Sequence, residues 1–195
     1  MALRRSFAPS LMLLCSSMLL SASVAAKTAA PAYDLIIRGG TIYDGSGKAP
    51  VVGDVAIKND RIVAVGKVDG TAKTEVAAKG MAVAPGFINM LSWATESLIA
   101  DPKSQSDIRQ GVTLEVMGEG WSMGPVNATM KRQETERQGD IKFPIEWTTL
   151  GDYLTYLEKR GVSTNVASFI GAATVRVHEL GEGVVLPNPE QLARM

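Results

Sequence analysis

Cysteine is almost absent from these 195 residues: Cys15 stands alone, inside an N-terminal apolar run. Once that run is removed, the chain has no disulfide and no thiol to act as nucleophile or metal ligand. Histidine is equally scarce, with His178 the only one. A single imidazole does not build a multi-histidine metal centre. Charge of one sign is lacking too, because Lys+Arg and Asp+Glu both number 20. No basic field therefore invites nucleic acid or an anionic membrane. No apolar stretch reaches the roughly 18 unbroken residues of a spanning helix, so no stable membrane anchor is expected. What remains is ordinary for a globular protein, 46% hydrophobic and 21% charged, and long enough for one large domain or two small ones.

The N-terminus carries an address. Arg4 and Arg5 precede the apolar segments Leu11–Leu14 and Met18–Leu20, and small residues follow at Ser23 to Ala26. A basic start, an apolar middle and an A-x-A-like end describe a secretory signal peptide over residues 1–26. Export to the periplasm or beyond is the expectation. Leu14 is bulky where a lipoprotein would carry a small residue before its cysteine, which disfavours lipidation of Cys15. Residues 27–32 read as a linker.

From Tyr33 the pattern is that of short strands. Leu35–Ile37 and Thr41–Tyr43 read as two strands about a Gly39-Gly40 turn, and Asp54–Ile57 pairs as a hairpin with Arg61–Val65 across Lys58-Asn59-Asp60. Thr74–Ala77 and Met81–Val83 add two more. Frequent turns between short strands suggest a small sandwich or open barrel over residues 33–84. At Pro85 the rhythm changes. Gly86–Leu91 is a continuous apolar run, expected of a strand buried on both faces. Val112–Met117 and Asn165–Ile170 repeat the pattern, with helices expected over Ser104–Gln110 and Thr148–Arg160 and a stop at Gly161. Asn188-Pro189 opens a last helix. Alternating strand and helix over residues 85–195 argues for three parallel βα units. A closed (β/α)8 barrel needs eight, so the fold class expected is α/β with a small β part, the barrel being incomplete.

Three stretches carry a family resemblance: YDLIIRGGTIYDGSG from Tyr33, GDVAIKNDRIVAVG from Gly53, and AKGMAVAPGFIN from Ala78. Together they resemble the opening of the amidohydrolase superfamily, and within it the D-aminoacylase (N-acyl-D-amino-acid deacylase) group. Ser106–Thr113 is similar to that group's approach to its second barrel strand. The resemblance implies a composite β-sandwich followed by a metal-bearing barrel, and hydrolysis of an amide C–N bond in a small N-acyl amino acid. It also implies a divalent metal, zinc by preference, which brings the pKa of a bound water toward neutrality and polarises the carbonyl.

Against that family pattern this chain departs at its ligands. The positions of the usual His-x-His pair are Leu91 and Trp93, neither able to ligate a metal, and the acidic residue after Phe-Ile is Asn89. A second site in the group resembles one using a cysteine after strand two. Here that turn reads Gly118-Glu119-Gly120, so Glu119 is the candidate metal ligand, a locally paired loop carboxylate being the alternative. Arg176 lies near a basic position that faces substrate in similar enzymes and is the candidate for a substrate carboxylate. His178 reads as a surface residue. Gly171-Ala172-Ala173 replaces a Gly-His-Gly element. Trp93, Trp121 and Met123 fall near strand ends, where they either line a pocket or pack. Ser92 and Thr95 have no base beside them to make either a nucleophile.

Several functions share these features. One is a D-aminoacylase-like amidohydrolase of which this chain is a truncated, inactive part. Another is a catalytically dead amidohydrolase-fold protein that binds a ligand or partner. A secreted non-enzyme built on the β part is a third, and cyclic amidases of the dihydroorotase or hydantoinase kind share the same opening.

Overall fold

The structure is a computed structural model that describes residues 30–195. The expected leader, with Cys15, and the start of the linker lie outside the described residues. The chain divides into two compact units. One comprises the chain through Gly39 together with Gly53–Ala77; the other comprises Gly40–Val52 and Ala78–Met195.

The first unit is a sheet in the order β3-β2-β1-β4. Its strands are β1 (Tyr33–Ile42), β2 (Val51–Lys58), β3 (Arg61–Gly66) and β4 (Ala72–Ala77). The β2–β3 hairpin turns through Asn59 and Asp60, both left-handed at φ 49° and 59°. Two consecutive residues of that kind make the tight turn whose twist suits a hairpin, and Asn and Asp tolerate it best. β4 runs parallel to β1, with Leu35 opposite Thr74 and Ile37 opposite Val76. The core is small: Ile36, Ala56 and Val68 are buried, with Tyr33, Ala64 and Ala72 against them. An ion cluster closes one end. The Arg38 guanidinium reaches Asp54 at 3.0 Å and Glu75 at 3.0 Å, and donates to the carbonyls of Val68 and Gly70.

β1 does not break at Gly39-Gly40 as the sequence suggests. The strand runs straight through, because both glycines meet local demands of a continuous strand. Gly39 adopts φ 67° and donates its N–H to Asp54 Oδ1 at 2.8 Å. At Gly40 a Cβ would lie 2.4 Å from a Val83 methyl. The glycines mark close approach rather than a turn.

In the second unit the end of β1 pairs in parallel with β5 (Ala82–Val83). A three-stranded parallel sheet follows, in the order β6-β7-β8, formed by β6 (Phe87–Asn89), β7 (Val112–Met117) and β8 (Asn165–Ser168). Around it lie α1 (Ser97–Ala100), α2 (Gln105–Ile108), α3 (Ala128–Arg137), α4 (Leu150–Arg160), α5 (Ala172–Leu180) and α6 (Pro189–Arg194). α4 is the best specified. Thr149 Oγ1 accepts from the Asp152 N–H at 3.1 Å while the Asp152 carboxylate accepts from the Thr149 N–H at 2.9 Å, a reciprocal capping box. Gly161, at φ 78°, ends the helix in the left-handed region. Its buried stripe of Leu150, Tyr153 and Leu157 meets Met117, Trp147 and Leu98 in the main core.

The run Gly86–Leu91 is shorter and more open than its sequence predicts. Only Phe87–Asn89 is strand, and Phe87 and Ile88 are more than half exposed. β6 is an edge strand of the three, so its exposure depends on what stands beside it and not on its own hydrophobicity. The last strand likewise stops at Ser168, leaving Phe169 and Ile170 exposed. α1, α3 and α5 are additions that the sequence pattern did not suggest.

Candidate functional site

Ligands of parallel sheets bind beyond the carboxyl ends of the strands, so the loops after β6 and β7 are the place to look. The loop after β6 is tied to its neighbour by the Ser92 N–H, which donates to the Val116 carbonyl at 2.9 Å. The loop after β7 is shaped by two glycines. Gly118 has φ 87°, and a Cβ there would stand 2.2 Å from the Phe169 carbonyl oxygen. Gly120 has φ 78°, and its carbonyl accepts from Ala173 at 2.9 Å. No side chain fits at Gly118, which is why the turn between β7 and the next loop needs glycine there.

Beyond it, Ser122 fixes the loop onto α5. Its N–H donates to Thr174 Oγ1 at 2.7 Å, its hydroxyl donates to the Gly124 carbonyl at 2.6 Å, and the hydroxyl accepts from the Gly171 N–H at 3.0 Å. The result is a pocket of about 60 Å³ lined by Leu91, Trp93, Glu119, Trp121, Ser122 and Met123, among others. Trp93 is 71% exposed and Trp121 48%. Both tryptophans and Met123 line this pocket, and Met123 also packs against the main core.

Leu91, Trp93 and Glu119 are thus brought together. The metal that the resemblance implies does not fit what they offer. Leu91 and Trp93 have no donor atom, Glu119 supplies a carboxylate alone, and among the described residues no three His, Cys, Asp or Glu side chains gather closely enough to hold an ion. Ser92 and Thr95 line the same pocket, and neither hydroxyl is hydrogen-bonded to Glu119 or to any other described base.

The other candidates lie elsewhere. Arg176, on α5, spends its guanidinium on the loop that follows, donating to the carbonyls of Gly181, Gly183 and Val185 at 3.4, 2.9 and 2.8 Å. His178 is on the same helix, where its carbonyl accepts from Asn127 Nδ2 at 3.2 Å. Gly171 is the N-cap of α5 and caps it with no side chain. Asn89 faces Glu115, its Nδ2 donating to Oε2 at 3.1 Å. Glu115 is fully buried in the middle of β7, and its Oε1 has no partner among the described residues. Nothing in the sequence reading marked Glu115, although one acidic residue within the apolar run Val112–Met117 was the available signal.

Comparison with known proteins gives these features a lineage. No protein-family profile matches the chain. It is 34% identical over 154 residues to an N-acyl-D-aspartate deacylase of Alcaligenes xylosoxydans xylosoxydans, covering 76% of this chain and 30% of that protein. A D-aminoacylase of the same organism is 30% identical over 168 residues, covering 84% of this chain and 34% of its own length. A solved D-aminoacylase, described by the functional role of its binuclear metal centre, superposes with a TM-score of 0.69 at 27% identity over 83% of this chain and 34% of that one. Homologues and structural neighbours of this chain are therefore D-aminoacylases and N-acyl-D-amino-acid deacylases of the amidohydrolase family. The chain spans about a third of the length of the relatives it matches. Its mixed sheets and helices agree with a partial amidohydrolase fold.

Proposed function

We propose that this chain is the N-terminal portion of an exported amidohydrolase that, when complete, hydrolyses the amide bond of N-acyl-D-amino acids. The observation that carries the reading is the likeness to D-aminoacylase over 83% of the chain, in sequence as well as in backbone. On this reading residues 33–84 contribute a composite β-sandwich. Residues 85–195 contribute the first three βα units of a (β/α)8 barrel. Arg4, Arg5 and the apolar run behind them support export and cleavage near Ala26.

A divalent metal, zinc by the resemblance, would draw most of its ligands from outside residues 30–195, with Glu119 the carboxylate this portion offers it. A substrate role for Arg176 would require it to leave the carbonyls of its loop. Hydrolysis by the 195-residue chain alone is not expected. A second reading, an amidohydrolase fold kept for binding without catalysis, is favoured by one observation, the donor-free side chains of Leu91 and Trp93 in the pocket.

Assay of the complete gene product separates the two. Release of free amino acid from N-acetyl-D-aspartate, N-acetyl-D-glutamate or N-acetyl-D-methionine, with the L-forms untouched, is the outcome expected of the enzyme. Inertness toward every N-acyl-D-amino acid, with and without added zinc, would leave the binding reading. Glu119→Ala in the same protein should lower bound metal; unchanged stoichiometry would remove Glu119 from the ligand set.

A further inference from the structure

The pocket at the ends of β6 and β7 has the wrong donors for a metal, and its walls have a consistent character of their own. Among the described residues Glu119 is its only charged side chain, and no Lys, Arg or His lines it. Glu119 enters none of the ion pairs among the described residues. Two indoles, Trp93 and Trp121, and the Met123 thioether are its largest walls, beside Leu91 and the hydroxyls of Ser92, Thr95 and Ser122. The exposed Glu119 carboxylate, with no described cation beside it, repels anions. Indole rings, in contrast, attract cations, most strongly weakly hydrated alkylammonium groups. Size narrows the choice further. About 60 Å³ exceeds the roughly 10–15 Å³ that one water needs and falls short of the roughly 300 Å³ of a drug-sized site. It suits a headgroup. The neighbouring cavity of about 80 Å³, on the other side of Ser122 and Met123, repeats the pattern with Glu96, Glu134, Phe143 and Trp147 and again no basic side chain.

We infer that the β6–β7 pocket binds the alkylammonium head of a small organic cation, with Trp93 and Trp121 against its methyl or methylene groups and Glu119 balancing its charge. The inference rests on the pocket's walls and not on the hydrolytic reading.

Calorimetric titration of the full chain with choline, and with its uncharged isostere 3,3-dimethyl-1-butanol, tests it directly. Choline should saturate at a Kd on the order of 1 mM and bind about tenfold tighter than the isostere. Trp93→Leu, Trp121→Leu and Glu119→Gln should each weaken choline at least about fivefold while leaving the circular dichroism unchanged. Equal affinity for the two alcohols, absence of choline binding, or choline binding indifferent to all three substitutions would overturn the proposal. Zinc titrated alone is the remaining arm. Stoichiometric zinc binding that Glu119→Gln abolishes, without choline binding, would assign the pocket to a metal and overturn it as well.

Discussion

Asn89 on β6 and Glu115 on β7 stand opposite one another in the parallel sheet, and the Asn89 amide is the sole described partner of a fully buried carboxylate. A buried polar group left without a partner costs about 1–3 kcal/mol, and Oε1 is matched by no described residue. Asn89→Leu should therefore destabilise the second unit by about 2–3 kcal/mol, as it removes the remaining donor. Replacing both, Asn89→Leu with Glu115→Met, should recover most of that loss, because an apolar pair needs no donor. Urea unfolding followed by tryptophan fluorescence reads both variants. A double variant no more stable than Asn89→Leu alone would show that Glu115 has another partner to satisfy.

Two glycines with the same backbone conformation should respond very differently to alanine. Gly45 has φ 80° and open space around it, whereas Gly118 has φ 87° and the Phe169 carbonyl 2.2 Å from where a Cβ would stand. Gly45→Ala should cost about 1 kcal/mol, the conformational term alone. Gly118→Ala adds a backbone clash and should cost about 3 kcal/mol or more. It should also shift Glu119, weakening whatever the pocket binds. Equal losses at the two positions would mean that the β7 turn opens freely.

How much of this was legible beforehand divides along the same line, local signal against context. α4 was readable because its cap, apolar stripe and Gly161 stop are all local, and Asn188-Pro189 announced α6 with a capping box closed by Gln191. β7 was read to the residue. α3 was missed because its polar sequence buries only Met130, so no apolar period showed; its start rests on the Asn127 side chain accepting from Met130. The strand through Gly39-Gly40 was misread because glycine serves a turn and a close approach equally well. At the site, strand order places Trp93, Trp121 and Met123 near strand ends, but not Leu91 and Glu119 in one pocket with them. Glu115 could not be found from spacing, since its partner Asn89 is 26 residues away.

The cap of α4 makes a plain test of the capping box. Thr149→Ala removes the oxygen that accepts from Asp152 and should cost about 1 kcal/mol. Thr149→Ser keeps that oxygen and should cost much less. Both are measured by thermal unfolding at fixed pH. A Ser variant as damaged as the Ala variant would indicate that the methyl group, and not the hydrogen bond, is what matters.

Acid should loosen the first unit through one cluster. The Gly39 N–H and then the Arg38 guanidinium hold Asp54 below the usual carboxylate range, and Arg38 does the same for Glu75. Lowered folded-state pKa values mean stability that is complete above the unfolded carboxylate pKa of about 4 and is lost as pH falls through the depressed folded values. Amide hydrogen exchange in β1 to β4 should therefore accelerate, after correction for intrinsic rates, only below about pH 4. Asp54→Asn should flatten that dependence. Acid sensitivity unchanged in Asp54→Asn would place its origin elsewhere.

The most direct measurement of function compares two proteins in one assay, the 195-residue chain and the complete gene product, with N-acetyl-D- and N-acetyl-L-amino acids as substrates. A D-aminoacylase-type enzyme represented here by about a third of its length should release D-amino acid from the complete product and none from the chain, with the L-substrates inert in both. Failure of the complete product to hydrolyse any N-acyl-D-amino acid in the presence of zinc would contradict the assignment.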